Sequence, residues 1–312
     1  MKKTILTFVV ALTFIGSTVF VSCSQDKGKE GEKEKKETPK DSVETEVPQG
    51  PVAGITPFDF PTVSTSAKAG EFALTPSMAF IERAWKAKEE GKTSSFIFYS
   101  STVVEPGDVE SKIKQIGAEV NIPNSLVIPI PANQTAKKGD IVLTWWQSGS
   151  GMQRAIVVND SEPTHPVVKY LDIDYDNPAK NKDGVPIGQM EEKLEANSFM
   201  LLSGEWMPGT AVAYNKGSFE HWQVISVSGD KVLACGWAGV MAVLEKSKCT
   251  PIPVKLDVKA GDLIQVPQYG TYKEGKVKKV DASAGRVWVE VQFGGEATEI
   301  VVSQGDIIKS LL

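Results

Sequence analysis

The chain has 312 residues, of which 41% are hydrophobic and 23% charged, and its formal net charge at pH 7 is −5. That length allows one large domain or several small ones. The acidic balance excludes nucleic acid as a partner, because phosphate binding requires clustered Lys and Arg, and the part expected to fold has no such cluster.

The chain begins with a predicted secretion signal. Lys2 and Lys3 precede an apolar stretch from Thr4 to Ser22, and Cys23 closes that stretch. A basic start, an apolar run and a small residue before the cleavage point are typical of a signal peptide. The sequence Phe20-Val21-Ser22-Cys23 resembles the signal of bacterial lipoproteins of the spirochaete or Bacteroidetes kind, although leucine is the usual residue where Phe20 stands.

The resemblance to lipoproteins implies that residues 1–22 are removed and that Cys23 carries a diacylglycerol and an amide-linked chain such as palmitate. More than one acyl chain gives a stable membrane anchor, at about 0.8 kcal/mol per buried methylene. Ser24 and Gln25 do not resemble the inner-membrane retention signal of enterobacteria, so we expect the outer membrane, on either face. An uncleaved apolar anchor is the alternative, since the run is close to the ~20 residues that span a bilayer.

Residues 23–69 are predicted to be a disordered charged tether and linker. Residues 24–50 contain six lysines and eight acidic residues with almost nothing apolar. Such a composition leaves the chain entropy unopposed. A disordered segment of this length spans roughly 30 Å, which would hold a folded part clear of the lipid headgroups. Residues 51–69 add Phe58 and Phe60, and we expect them to dock on the first domain.

The rest of the chain contains four repeats of one pattern, in which a glycine and a polar residue precede an apolar run. We therefore divide it into unit 1 (70–137), unit 2 (138–203), unit 3 (204–256) and unit 4 (257–312). The pattern opens these units at Gly70-Glu71-Phe72-Ala73-Leu74, Gly139-Asp140-Ile141-Val142-Leu143, Gly209-Thr210-Ala211-Val212-Ala213 and Gly261-Asp262-Leu263-Ile264-Gln265.

Unit 1 contains one ambiguous element. Thr75-Pro76 followed by Met78, Ile81 and Trp85 is compatible with a capped helix. A gapless alignment of units 1 and 2 at an offset of 71 instead places residues 83–85 over 154–156, and the stretch 154–158 is too β-branched for a helix. The alignment favours a strand at 83–87, with the helix as the alternative.

Units 3 and 4 read as hairpins of alternating strands. Residues 222–227, 232–237 and 240–244 are separated by glycine-containing turns, and 275–280 and 286–291 repeat the scheme. Tight glycine turns between alternating segments predict antiparallel β structure. The common unit of about 45 to 65 residues therefore predicts a small meander.

The pattern resembles tandem SH3-like barrels of the Tudor and agenet kind. The resemblance rests mainly on unit 2, where Val168-Lys169-Tyr170-Leu171-Asp172-Ile173-Asp174 precedes Val185-Pro186 and Leu194. It implies a mainly β fold of tandem small barrels after the tether. It also implies recognition of peptides through grooves lined by aromatic residues.

Six aromatic residues are candidates for such a groove: Trp145, Trp146, Tyr214, Phe219, Tyr269 and Tyr272. On a strand, the adjacent Trp145 and Trp146 point to opposite faces, so one can lie outside the core. For this pair we favour packing between repeats over ligand binding. The other four flank the opening loops of units 3 and 4.

Candidates for a metal or catalytic site are few. Asp172, Asp174 and Asp176 alternate as calcium ligands can, but the spacing lacks the glycine and the bidentate glutamate of an EF-hand, so a solvated hairpin is favoured. His165 and His221 belong to no ligand or nucleophile motif. We expect no metal, no cofactor and no enzymatic activity.

Cys235 and Cys249 remain after signal removal. In an oxidising compartment they can form a disulfide, but a turn at 238–239 places Cys235 opposite Ala242. A disulfide and two buried thiols both stay open, with the thiols slightly favoured.

The sequence as a whole favours an envelope lipoprotein that acts as a binding or scaffold module for protein, peptide or peptidoglycan. An envelope enzyme or an enzyme inhibitor, with its site between repeats, is the alternative.

Overall fold

The computed structural model describes residues 56–311, which fold as a mainly β protein with one α-helix. The prediction of a mainly β fold is confirmed. The predicted signal, Cys23 and the tether up to residue 55 lie outside the described residues. Within residues 56–311, no helix has the length and apolar character needed to cross a bilayer.

The first sheet lies within unit 1 and has the strand order β4-β3-β2-β1-β5. All neighbouring strands are antiparallel. The strands are β1 (Phe72–Pro76), β2 (Phe98–Glu105), β3 (Glu110–Gln115), β4 (Ala118–Pro123) and β5 (Ile128–Pro129).

The second sheet lies within unit 2, and its order β9-β8-β7-β6-β10 is the same scheme. Here too the first strand pairs with the second strand on one side and with the last strand on the other. The strands are β6 (Ile141–Trp145), β7 (Met152–Asn159), β8 (Val167–Tyr170), β9 (Glu192–Lys193) and β10 (Met200–Leu201).

The third sheet has nine strands and contains units 3 and 4, joined where Glu220 pairs with Thr271. In unit 3 the first strand pairs with β12 and β15, and in unit 4 it pairs with β17 and forms a bridge to Ile308. The strands are β11 (Ala211–Asn215), β12 (Phe219–Ser228), β13 (Lys231–Gly236), β14 (Met241–Glu245), β15 (Cys249–Pro251), β16 (Leu263–Gln268), β17 (Thr271–Asp281), β18 (Arg286–Phe293) and β19 (Glu296–Ser303).

The four opening glycines form the same turn. Gly70, Gly139, Gly209 and Gly261 have φ values of 84°, 86°, 89° and 96°, which glycine adopts without the penalty that a Cβ would bring. Each donates its backbone N–H to the carbonyl of a valine in the second strand of its unit. The pairing of that strand shifts register directly after this valine. The acceptors are Val103, Val157, Val224 and Val277 in turn.

The strand predicted at 83–87 is wrong, because this stretch lies in the helix α1 (Met78–Glu89). Its Ala, Glu and Lys residues are strong helix formers, and Ile81 and Ala84, three apart, are buried on one face. The shared turn explains the error. Aligning units 1 and 2 on this turn places Val157 over Val103. The offset of 71 had placed Val157 over Lys86, which lies inside the helix.

Residues 56–71, the described part of the chain before β1, pack against the sheets. Phe60 and Ala67 are buried in the largest hydrophobic cluster, and Phe58 contacts Phe96 with ring centroids 5.5 Å apart. The same cluster includes Leu74 and Ile225, so it joins side chains of the first and third sheets.

Candidate functional site

A cleft of about 860 Å³ opens where the second sheet meets both halves of the third. Its walls come from β7, the loop at residues 171–178, β12 and β13, the turn at 269–270, and β19. Five carboxylates and two guanidinium groups line it, so these seven groups carry a net charge of −3. We call it the acidic cleft.

A buried arginine connects the walls of the acidic cleft. The side chain of Arg154, on β7, is 4% exposed. Its Nε donates to Asp172 Oδ1 at 3.0 Å, its Nη1 to the carbonyl of Gly305 at 3.1 Å, and its Nη2 to Asp306 Oδ1 at 2.8 Å. Such a buried charge is tolerated because each of the three guanidinium nitrogens donates to an acceptor.

Asp306 is the second centre of this network. Its Oδ1 lies 2.8 Å from Nε2 of His221 on β12, in addition to its contact with Arg154. Burial by itself raises the pKa of Asp306, but the charges of Arg154 and His221 and their hydrogen bonds hold it well below the usual value.

Tyr272 lies next to this network. Its ring is 5.9 Å from that of His221, and its buried hydroxyl has no hydrogen-bond partner among the described residues. Burial, and then the negative charge of Asp306, raise the pKa of Tyr272 well above its ordinary value. The phenol therefore stays neutral.

A second buried arginine holds the acidic loop in place. Arg286, on β18, donates to the carbonyls of Tyr170 and Ile173 at 2.8 Å each and to Ser303 Oγ at 2.6 Å. Ser303 Oγ in turn donates to the carbonyl of Leu171. Burial lowers the pKa of Arg286. The loop at 171–178 is therefore fixed against β18 and β19.

The three alternating aspartates in this loop have different surroundings. Asp172 pairs with Arg154, whereas Asp174 and Asp176 have no ion-pair partner among the described residues. Within residues 56–311, His, Cys, Asp and Glu side chains form no group of three that could hold a metal ion. Asp174 and Asp176 are thus free to attract a cationic group in the cleft.

Exposed aromatic side chains stand at the mouth of the acidic cleft. Trp237 is 65% exposed and Tyr269 is 70% exposed, and both line the cleft. Phe293 contacts Tyr269 with ring centroids 5.8 Å apart. A Cβ placed on Gly270 would lie 2.8 Å from Trp237, so the turn at 269–270 packs directly against the tryptophan.

Tyr269 has a strained backbone. Its φ is 49°, a left-handed conformation that is unfavourable for a side chain with a Cβ, and Gly270 follows at 80°. Strain of this kind persists where surrounding structure enforces it, and it often marks a functional position.

Of the predicted aromatic candidates, Tyr269 is the one that lines the cleft. Trp145 is buried and contacts Phe72 of the first sheet, with ring centroids 5.2 Å apart, which is packing between units. Trp146 folds over Gly149 and donates from Nε1 to Ser148 Oγ.

The remaining aromatic candidates lie elsewhere. Tyr214 packs on the core of unit 3, and Tyr272 is buried beside Asp306. Phe219 lines a separate cavity of about 370 Å³ together with Lys248 and Cys249. The predicted groove residues therefore do not form one site.

Sequence reasoning missed Trp237 and Arg154, although both left a signal. Trp237 directly precedes the turn Ala238-Gly239, and connecting segments generally run over the surface of a protein. Arg154 stands at the start of the apolar run 155–158, and a charge in such a run is buried only when paired.

The two cysteines are free within the described part of the chain. Cys235 pairs with Met241 rather than with the expected Ala242, and Cys249 lies on β15 opposite Tyr214. Burial raises the pKa of Cys235 to about 12 and that of Cys249 to about 11. Cys235 lines the cleft, but a thiol at this pKa is a poor nucleophile.

His165 lies in an exposed turn, with Nδ1 3.0 Å from Thr164 Oγ1, and does not line the cleft.

No known family model matches the chain, and no curated protein matches it.

Proposed function

We propose that this protein is a lipid-anchored lipoprotein of the outer membrane that binds a peptide segment of an envelope or extracellular protein in the acidic cleft. Cys23 carries the lipid, and the tether at 24–50 holds the folded part away from the bilayer. The protein acts as a binding or scaffold module without catalysis.

One observation carries this proposal: exposed Trp237 and Tyr269 line the same open cleft as Asp174 and Asp176, whose carboxylates have no ion-pair partner within residues 56–311. A rigid exposed aromatic side chain is a strong anchor for a protein partner. The carboxylates add attraction for positive charge.

The fold supports the same proposal. We infer that units 1 to 4 are related SH3-like modules, because they share one strand order and one glycine turn. In such modules the loops beside the sheet carry recognition. Tyr269 lies in the connection that follows the opening strand of unit 4.

The enzyme alternative has less support. His221 and Asp306 form a hydrogen-bonded pair, but burial raises the pKa of the Cys235 thiol, which lines the same cleft. A nucleophile activated for catalysis requires a lowered pKa or an adjacent base.

Capture from crosslinked cell envelopes tests the binding function. We expect the wild-type protein to retain a protein partner that Trp237→Ala loses. Ile116→Ala is the matched control, because Ile116 is 97% exposed on a hairpin remote from the cleft in sequence and fold. Equal capture by all three proteins, or capture of peptidoglycan alone, would refute the peptide-binding function.

Cell fractionation tests the anchor separately. Wild-type protein is expected in the detergent-soluble membrane fraction, and Cys23→Ser is expected to lose the lipid and the mature amino terminus at residue 23. Unchanged membrane association and acyl labelling of Cys23→Ser would refute lipidation at this residue.

A further inference from the structure

The acidic cleft contains an open sheet edge. β19 is the last strand in the order of the third sheet, and among residues 56–311 no strand pairs with its outer side. Its pairing with β18 runs from Phe293 opposite Glu296 to Arg286 opposite Ser303 with no register shift. An edge of this kind offers unpaired backbone groups to another strand.

The register identifies which groups are unpaired. Gln304 donates its backbone N–H to the carbonyl of Gly285, one pair beyond the last pair of β18 and β19. Hydrogen-bonded and non-bonded pairs alternate along an antiparallel ladder. The N–H groups of Thr298 and Ile300 therefore point to β18, and those of Glu299 and Val301 point outward.

These outward groups open into the cleft. Glu299, Val301 and Ser303 all line it. The outward backbone groups of Glu299 and Val301 have no hydrogen-bond partner among the described residues, since they occur in no backbone or side-chain bond outside the ladder. The outward carbonyl of Ser303 already accepts a hydrogen bond from the Asp306 N–H, so the open edge covers residues 297–301. At about 3.4 Å per residue it is roughly 17 Å long, enough for about five peptide residues.

Charge selects the occupant of this edge. Glu296 and Glu299 lie on β19 itself, and Asp174 and Asp176, on the loop at 171–178, line the same cleft as Glu299. A second copy of the chain paired antiparallel through β19 would bring these glutamates together, and like charges on neighbouring strands are destabilising. An extended segment with Lys or Arg at alternate positions would instead be attracted to the carboxylates of β19 and of the loop at 171–178.

We propose that a basic extended peptide binds by adding to β19 as a further antiparallel or parallel strand, with its basic side chains directed to Glu299, Asp174 and Asp176. This inference rests on the proposed function and specifies its binding mode. Backbone hydrogen bonds to Glu299 and Val301 supply affinity, and alternate side chains supply selectivity. Trp237 and Tyr269 cover the apolar side chains of the peptide.

The probe is a fluorescein-labelled decapeptide of alternating lysine and valine, with glutamate replacing lysine in its control. Binding to the full chain is measured by fluorescence anisotropy at two salt concentrations. We expect the lysine peptide to bind at least about tenfold more tightly than the glutamate peptide, and high salt to weaken its binding.

Amide exchange then identifies the binding mode. Bound probe is expected to slow the exchange of the Glu299 and Val301 amides and to leave those of Thr298 and Ile300 unchanged, because the latter already pair with β18. Binding that leaves the Glu299 and Val301 amides unprotected would overturn strand addition while the peptide-binding function stands.

Two substitutions of Glu299 separate the contribution of the backbone N–H to binding from that of the side-chain charge. Glu299→Gln keeps the N–H and removes one charge, whereas Glu299→Pro also removes the outward donor without removing a bond to β18. We expect a several-fold loss of affinity for Gln and a further tenfold loss for Pro. Equal affinities for the two variants would overturn the proposal, and N-methylation of alternate probe residues repeats the test without altering the protein.

The chain's own lysine-rich tether is the competing occupant. If deletion of residues 26–46 accelerates exchange of the Glu299 and Val301 amides in the absence of probe, the edge is occupied by the tether and the external peptide is refuted. Failure of the lysine peptide to bind refutes this inference alone, because envelope capture through Trp237 decides the broader function.

Discussion

Arg154 and Asp306 are separated by 152 positions in the sequence, and their side chains meet with Nη2 and Oδ1 2.8 Å apart. The pair links β7 of the second sheet to the segment that follows β19 of the third. Arg154 also donates to the carbonyl of Gly305, so the link includes the backbone. The walls of the acidic cleft are therefore held together by two residues that themselves line it.

Arg154→Met is expected to lower the free energy of unfolding by about 3 to 5 kcal/mol, because it leaves the buried Asp306 carboxylate without its cation. Chemical denaturation measures the change. Lys193→Met is the matched control, since Lys193 forms an exposed pair with Glu162 and its loss is expected to cost less than about 1 kcal/mol. Similar losses for both variants would contradict the structural role of Arg154.

Tyr269→Asn is expected to stabilise the fold by about 1 kcal/mol and to weaken ligand binding. Asparagine tolerates the left-handed backbone that tyrosine adopts here at φ 49°, but it lacks the exposed ring. Thermal unfolding and the capture assay measure the two effects. Loss of stability together with retained capture would contradict both parts of the prediction.

Ile116→Asn supplies the control for Tyr269→Asn. Ile116 also has a left-handed backbone, with φ 44° before Gly117, and it lies in the β3–β4 turn away from the cleft. Its replacement is expected to give a similar stabilisation of about 1 kcal/mol with unchanged capture. A binding defect in this variant would show that relief of turn strain itself, rather than loss of the Tyr269 ring, disturbs the site.

Acid is expected to weaken the Asp306 network. The pKa of Asp306 is lowered in the folded protein relative to the unfolded chain, so its stabilising contribution is present above about pH 4 and is lost as the pH falls towards the folded value. The difference in unfolding free energy between wild type and Asp306→Asn should therefore shrink below about pH 4. A difference that grows on acidification would have the wrong sign.

Both thiols are expected to react slowly with iodoacetamide in the folded protein at pH 8. Burial raises the pKa of Cys235 to about 12 and that of Cys249 to about 11, so little thiolate is present at this pH. Mass spectrometry should find two alkylated cysteines only after denaturation without reductant. A protein that resists alkylation even when denatured would contain a disulfide.

The sequence predicts the strands well where turns and alternation are strong. The hairpins of units 3 and 4 are found at the expected places, because glycine turns fix their positions. The error at 83–87 arose from matching letters at a fixed offset. The hydrogen bond from the Gly70 N–H to the Val103 carbonyl is what aligns unit 1 with the other units. The number of residues between this glycine and this valine differs from unit to unit.

The acidic cleft was harder to predict, because its parts come from three units. Asp172 was recognised as part of an acidic loop, yet nothing local indicates that its partner is Arg154. The pairing of Asp306 with His221 depends on how units 3 and 4 pack. Tyr269 was identified from its place beside an opening strand, while Trp237, in a β13–β14 turn, was not.

The connection after each opening strand has a different length although the glycine turn before it is constant. It covers residues 77–97 in unit 1, with a complete helix, and only 269–270 in unit 4. Foreign sequence grafted at this point should be accepted without disturbing the surrounding sheet. An engineer could therefore use the position in unit 4 to install a new recognition loop directly above the cleft.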